Sequence, residues 1–302
     1  MPLVTCAITT HKRKSEIVER ALKSILNQTH KNIEVFVIDD SPSDWEYRND
    51  VKAMVESYSE KNVTYIPHDK CMGACVARNT ALENANGKYI GFLDDDDEWK
   101  PEKVEKMIEA FTNDDIALVY SDRETVYDSS EEKKIQNPKV FTGDVFDSLI
   151  LENYIGSTSF PILKTECLRN IGGFDPLLQS AQDYDVWLRL AEKYKVNYVN
   201  ESLSLYHWHE GEQITKNPLK KVNGLERIMK KNRTYLSQHP DAYRSRAFEL
   251  MPWCVRGKKY GQALSIWFKA VFKRPFKFKS NFYNLYLFFA IIIVDIRDRN
   301  KK

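Results

Sequence analysis

The chain has 302 residues, of which 42% are hydrophobic, 12% aromatic and 29% charged; that excludes wholesale disorder and suits one large domain with an appendage, or two domains. The formal charge of +2 hides a division, because residues 216–302 hold 21 Lys and Arg against 5 Asp and Glu, while residues 1–215 hold 24 against 38. Five cysteines (Cys6, Cys71, Cys75, Cys167, Cys254) form no CxxC pair and no metal-finger spacing, and the opening "MPLVTCAITT" lacks the pattern of an export signal, which together fit a reducing cytoplasm.

From the N-terminus, apolar runs "LVTCAIT" (3–9), "IEVFVID" (33–39), "VTYIP" (63–67), "KYIGFLD" (88–94) and "IALVYS" (116–121) read as strands. Amphipathic patterns at about 15–28, 50–60, 75–85 and 101–112 separate them; the first places Ile17, Ala21, Leu22 and Ile25 on one side at helical spacing. Strands apolar on both faces imply helices covering both sides of a mostly parallel central sheet, a doubly wound α/β arrangement. Ligands of such sheets sit beyond the carboxyl ends of the strands. Residues 122–165 are less regular. A Gly172-Gly173 turn then leads to a helix over 180–194 and to paired strands "KVNYVN" (195–200) and "SLSLYHWH" (202–209).

After about residue 216 the chain turns helical, basic and aromatic. Residues 257–273 read as an amphipathic helix with Tyr260, Leu264, Trp267, Phe268 and Val271 on one side. The apolar run from Leu285 to Val294 falls short of the roughly 20 residues that span a bilayer. Helices of this composition lie in the membrane interface, drawn by anionic lipids, or pack as a helical subdomain; the composition favours an anionic membrane surface. Nucleic acid matches the charge but finds no motif and is not expected as a partner.

Four consecutive carboxylates, Asp94 to Asp97, close the fourth strand. Carboxylates are ligands of hard divalent cations, and Mg²⁺ takes one or two of them together with substrate phosphates. If the segment stays extended, Asp94 and Asp96 point one way while Asp95 and Asp97 point the other. An acidic turn capping a helix that begins near Pro101 is the plainer reading, but the place at the end of an apolar strand favours the metal. Asp39-Asp40 ends the second strand, where an acid either contacts a ribose or base or starts an Asx turn with Ser41 and Pro42. No GxGxxG and no GxxxxGK[ST] occurs, which argues against dinucleotide and P-loop chemistry. "QDYDVWLRL" places Asp183 and Asp185 near a helix start, as caps or as a proton acceptor. His207 and His209 in "YHWHEG", two apart on a strand, share a face, and near an acidic metal site one imidazole becomes a further ligand.

These pieces together resemble glycosyltransferase family 2. The resemblance is carried by "VTCAITTHKR", "QTHKNIEVFVIDDSPSD", "GACVARNTALENANGKYIGFLDDDDEWKPEKVEK" and "IGGFDPLLQSAQDYDVWLRLAEK", over about residues 3–215. It implies a GT-A fold over residues 1–215, with a nucleotide-sugar half (about 1–121) and an acceptor half (about 122–215), followed by the helical tail at 216–302. It also implies an inverting transfer of a single hexosyl-type sugar, since the processive "QxxRW" signature is absent. The expected donor is a nucleotide-sugar of the UDP type, the acceptor a saccharide or lipid-linked saccharide of capsule or other surface polysaccharide. The expected cofactor is Mn²⁺ or Mg²⁺, and the expected location is the inner face of the plasma membrane.

Position by position, the resemblance gives Thr9 and His11 to the nucleotide loop, His11 stacking on the base, and Asp40 to a base contact. Asp94 and Asp96 match the ends of the DxD motif, with Asp96 the direct metal ligand and Asp95 a ribose or donor contact. Asp183 matches the general base, behind a Gln182 that replaces the usual Glu. His209 matches a metal-site histidine, and His207 stands where an Arg is usual. Arg78 matches the "ARN" arginine, either as a structural ion pair or as a donor contact. Two rivals remain at this level: a noncatalytic sugar-nucleotide-binding or scaffold protein on the same fold, and a nucleotidyltransferase, which would need a glycine-rich activating loop that the N-terminal region lacks.

Overall fold

The computed structural model describes residues 1–127, 133–136, 140–208 and 217–274, with a few single positions between 283 and 290. His209 and, within the run from Leu285 to Val294, residues 287, 288 and 291–294 lie outside the described residues.

The first half alternates strand and helix: β1 (Val4–Thr10), α1 (Ser15–Leu26), β2 (Ile33–Asp39), α2 (Arg48–Glu56), β3 (Val63–Pro67), α3 (Ala74–Asn84) and β4 (Tyr89–Asp94). A short β5 (Glu98–Trp99), α4 (Lys103–Glu109), β6 (Ile116–Tyr127) and β7 (Lys133–Gln136) follow. Then come α5 (Phe146–Leu149), β8 (Ile162–Lys164), α6 (Thr165–Asn170), α7 (Gln182–Ala191) and β9 (Lys195–Trp208). The strands form one sheet in the order β3-β2-β1-β4-β8-β6-β9-β5, with β7 on β6. β3, β2, β1 and β4 run parallel, as do β6 and β9. The α/β class and the C-terminal helical region expected from the sequence are both present.

Alternation along the strands sorts the core. Val4, Cys6 and Ile8 join Val35 and Val37 against Val18, Leu22 and Ile25 of α1, Val51 and Val55 of α2, and Val104 and Met107 of α4. Phe92 points from β4 to the other face and meets the Phe174 ring edge-on at 5.2 Å. Gly172 and Gly173 take φ of +79° and +65°, conformations that favour glycine, so the Gly-Gly turn forms as expected.

Two expectations need correction. The runs at 195–200 and 202–209 are not a pair of strands but the single strand β9, whose described part ends at Trp208. Its partner is the long β6, joined in parallel from Ile116↔Lys195 to Tyr127↔Trp208. The polar Asn200-Glu201 interruption is absorbed there by register shifts around Asp122, so a long template overrides a local turn signal. The segment after β4 is not extended either: Asp97 N donates to Asp94 O at 3.0 Å, closing a turn that gathers all four carboxylates.

A second compact unit contains Ile150–Glu152, Leu177–Gln182 and the C-terminal helices. These are α8 (Pro218–Lys231), α9 (Arg233–Gln238), α10 (Pro240–Arg256) and α11 (Tyr260–Lys273). Val222, Leu225, Leu250, Met251, Cys254, Val255 and Ala263 are its core, with Tyr260, Leu264 and Trp267 packed against them. Phe268, expected on this packed side, is instead 52% exposed, because Ala263 and Ala270 supply the close-packed line of α11. Among the described residues, no helix is long and apolar enough to cross a membrane.

Lys103 is wholly buried beneath the sheet, its Nζ donating to Phe160 O (2.6 Å) and Ser204 Oγ (3.0 Å). Burial pushes its pKa down to about 7. Between that value and the ordinary lysine pKa of about 10.4 the unfolded chain binds a proton that the folded chain does not. Stability should therefore rise with pH across this window, by up to about 1.4 kcal/mol per pH unit. Urea midpoints of the native chain and Lys103→Met at pH 7.5 and 9 test this: the variant should lose the rise, and equal slopes would contradict it.

Candidate active site

The carboxyl ends of β1, β2 and β4 meet at one rim of the sheet. β1 is central, so Thr9 lies in register with both Ile38 and Asp94, and Thr10 with Asp39. Asp40 N donates to Thr10 O at 2.9 Å, which fixes the β2 exit against the β1 exit.

Beyond β1 the chain folds back over this rim. Lys12 adopts φ of +54°, uncommon for a residue with a side chain, and its N–H donates to Ser41 Oγ at 2.8 Å. His11 is exposed and its Nδ1 lies 2.9 Å from Asp40 O. Asp40 is buried, and its Oδ1 accepts from His68 Nδ1 (2.7 Å) and Met72 N (2.7 Å). Its Oδ2 accepts from Gly73 N (2.7 Å) and from the Cys71 thiol (3.5 Å). Burial works against the charged form, but the bonds from His68 and the two backbone amides hold the Asp40 pKa below the usual carboxylate range. Both Asp40 oxygens thus accept bonds within the protein. Asp40, His11 and Cys71 also bring three potential ligand atoms within 4.8 Å of one another.

The turn at Asp94–Asp97 is the most acidic feature of the rim. Asp94 accepts from Arg78 Nη2 (2.9 Å), Ser157 Oγ (2.8 Å) and Thr158 Oγ1 (3.2 Å). Burial would raise its pKa, yet the Arg78 charge and these bonds keep it low. Arg78 is itself buried on α3, 5.5 Å from the centre of the Phe174 ring, and so forms an ion pair. Asp95 and Asp96 share one guanidinium, with Arg13 Nε 3.0 Å from Asp95 Oδ1 and Arg13 Nη2 2.6 Å from Asp96 Oδ2. Burial, only partly offset by Arg13, pushes Asp95 up to about 6. Asp97 is pushed well up by burial and then by the charges of Asp94 and Asp96. Its Oδ1 accepts from His207 N at 3.2 Å, and its buried Oδ2 has no hydrogen-bond partner among the described residues. Hard oxygen donors, an orphaned buried carboxylate oxygen and an excess of negative charge fit a divalent cation.

Asp183 is the second residue of α7, which begins directly after Ala181, whose φ is +56°. It is half-buried, and its Oδ1 accepts from Tyr184 N (2.7 Å) in the first turn. Asp185 is 2% exposed and bonded to Arg189 Nε at 2.8 Å, one helical turn on. The two acids, alike in sequence, are thereby distinguished: one is locked into the helix and the other lies partly open. The loop at 156–160 links α7 to the acidic turn. Trp187 Nε1 donates to Gly156 O (2.9 Å), Ser157 and Thr158 donate to Asp94, and Asp94 N donates to Ser159 Oγ (3.0 Å).

Sequence reasoning passed over Arg13, Ser157, Thr158 and Ser159. Arg13 stood inside the quoted "VTCAITTHKR" without a role, and the three hydroxyls lie in the irregular 122–165 stretch, where no pattern marks them. The structure brings Thr9, His11, Asp40, Arg78, Asp94, Asp95 and Asp96 to one rim. Asp183 is joined to it through Trp187 and the 156–160 loop.

Comparisons with known proteins show the family and the fold. The family model described as glycosyl transferase family 2 matches residues 5–172, more than half of the chain. WcaA of Escherichia coli (strain K12), named as a colanic acid biosynthesis glycosyl transferase, is 31% identical over 244 residues, covering 77% of this chain and 82% of its own. WfaP of Escherichia coli, named as a UDP-Glc:alpha-D-GlcNAc-diphosphoundecaprenol beta-1,3-glucosyltransferase, is 30% identical over 240 residues, covering 76% of this chain and 86% of its own. Among solved structures, S. aureus TarS 1–349 in complex with UDP-GlcNAc superposes with a TM-score of 0.69 at 16% identity, covering 97% of this chain and 89% of its own. That likeness is one of fold.

The different settings of the two helix acids predict different losses. Asp185→Ala should destabilise the chain by about 1–3 kcal/mol, because it strips a buried partner from Arg189. Asp183→Asn, which keeps the side chain's size and an acceptor for Tyr184 N, should cost less than Asp185→Ala. Equal losses in urea unfolding would contradict the assignment.

Proposed function

The chain belongs to glycosyl transferase family 2, and from that premise we propose that it moves one sugar from a UDP-sugar to a hydroxyl of a saccharide or lipid-linked saccharide during surface polysaccharide synthesis, with inversion at the anomeric carbon. The observation that carries this reading is the turn of four carboxylates at the end of β4, beside the loop that follows β1 and tied through 156–158 to the helix bearing Asp183. The names of WcaA and WfaP support the polysaccharide setting and a diphosphate-linked lipid acceptor.

The roles follow from each residue's setting. His11, exposed above the rim, stacks on the base, and Asp40 orders the base loop through His68 and the amides of Met72 and Gly73. Thr9 borders the diphosphate next to Asp94. Asp95 and Asp96 face the donor, with Asp96 the principal ligand of Mn²⁺ or Mg²⁺; His209 remains a candidate further ligand by resemblance. Such a cation, when bound, supplies Lewis-acid neutralisation of charge on the departing diphosphate. Arg78 holds Asp94 and so keeps the turn folded. Asp183 accepts the proton of the acceptor hydroxyl as that oxygen attacks in line, so an α-linked donor gives a β-linked product. In the second unit, Phe268 and Phe272 are exposed one helical turn apart beside Lys269, which supports peripheral attachment to an anionic membrane face.

The test is release of UDP from a panel of UDP-sugars in the presence of a diphospholipid-linked saccharide. Asp183→Asn should lower turnover by about 10²–10⁴-fold, and chelator should abolish transfer until Mn²⁺ or Mg²⁺ is restored. Undiminished transfer by Asp183→Asn, or a product of retained configuration, would refute the assignment; donor binding without any transfer would favour a noncatalytic binder on the same fold.

A further inference from the structure

We infer that Arg13 is the resident counter-ion of the acidic turn, the group that must leave Asp96 when a divalent cation arrives, and that cation binding and nucleoside-diphosphate binding are thereby made mutually dependent. This rests on the reading of the turn as a cation site and adds to it a residue that neither the motif nor the comparisons assign.

The geometry is that of a fork. One edge of the guanidinium spans two different carboxylates, Nε to Asp95 Oδ1 at 3.0 Å and Nη2 to Asp96 Oδ2 at 2.6 Å. Asp96 is the more open of the two, its side chain 23% exposed against 9% for Asp95, so the oxygen a small ion reaches from solvent is on the carboxylate that Arg13 covers. Among the described residues, Arg78 and Arg20 direct bonds elsewhere. Arg78 is spent on Asp94, and the Arg20 Nη2 hydrogen bond goes to the backbone oxygen of Asp96 at 2.8 Å.

Arg13 cannot yield by losing its proton. Burial lowers its pKa, but Asp95 and Asp96 more than reverse this, and a guanidinium remains charged throughout the working range. It yields by moving. Its side chain is 29% exposed and springs from the loop between β1 and α1, next to the left-handed Lys12, so it can swing without opening the core. A cation binding alone must evict a well-placed guanidinium from Asp96 and break its two-carboxylate fork. With a nucleoside diphosphate present the freed fork finds phosphate oxygens, the anion it recognises in two-pronged fashion. Each ligand then tightens the other, by the same factor in both directions.

Titration of free Mn²⁺ by electron paramagnetic resonance, with and without UDP, tests this on the full chain. The native protein should bind Mn²⁺ about 10-fold or more tightly with UDP than without it. Arg13→Gln should bind Mn²⁺ alone about 10-fold more tightly than the native chain and lose most of the gain from UDP. Arg13→Lys, which keeps the charge but not the fork, should fall between the two and serves if the glutamine variant does not fold. Native-like Mn²⁺ affinity and a native-like UDP effect in either variant would overturn the inference. A separate arm checks its footing: if Asp96→Asn binds Mn²⁺ in the presence of UDP as well as the native chain does, the turn is not the cation site, whatever Arg13 does.

Discussion

Four neighbouring carboxylates can share a single turn only if positive charge shares it with them. At 4 Å and an effective dielectric near 20, each like-charged pair costs on the order of 4 kcal/mol. The chain supplies part of the remedy from sequence-distant places: Arg78 from α3, Arg13 from the loop after β1, and hydroxyls from 157 and 158. The remedy is incomplete. Asp95 and Asp97 still resist ionisation, and a buried oxygen of Asp97 lacks a partner among the described residues. A fold that tolerates this deficit holds a standing attraction for a small divalent cation.

The scaffold explains why that attraction sits where it does. β1 lies between β2 and β4, so the loop after β1, the acids ending β2 and the acidic turn after β4 emerge side by side. The 156–160 loop then acts as a staple. It bonds Asp94 on one side, accepts from Trp187 of α7 and from Trp99 Nε1 (2.8 Å) on others, and rests on the buried Lys103 through Phe160. The helix that bears Asp183 and the acidic turn are thus attached to one connection, which holds two distant pieces of sequence together.

Much of this was legible in the sequence. β1 to β4 were readable because each is an unbroken apolar run bounded by polar helices, and the four aspartates drew attention because nothing local required them. What was illegible is what depends on partners far along the chain. The turn of Asp94–Asp97 could not be told from an extended end, because its closing hydrogen bond carries no residue signature. β9 looked like two strands because its pairing with the long β6 leaves no local trace. Phe268 seemed a core residue by spacing, but small residues, Ala263 and Ala270, form the packed line of α11. Arg13 and the serines and threonine of the 156–160 loop reach Asp94–Asp96 only through the fold, so residue type and spacing gave them no role.

The central claim is that the unsatisfied charge of Asp94–Asp97 binds a divalent cation together with a nucleoside diphosphate. The most direct measurement is anomalous diffraction from a crystal grown with Mn²⁺ and UDP. One manganese peak within about 2.5 Å of an Asp96 carboxylate oxygen, touching the diphosphate, is the predicted result. A peak lodged instead among His11, Asp40 and Cys71, or a diphosphate bound with no ion at the turn, would contradict the account.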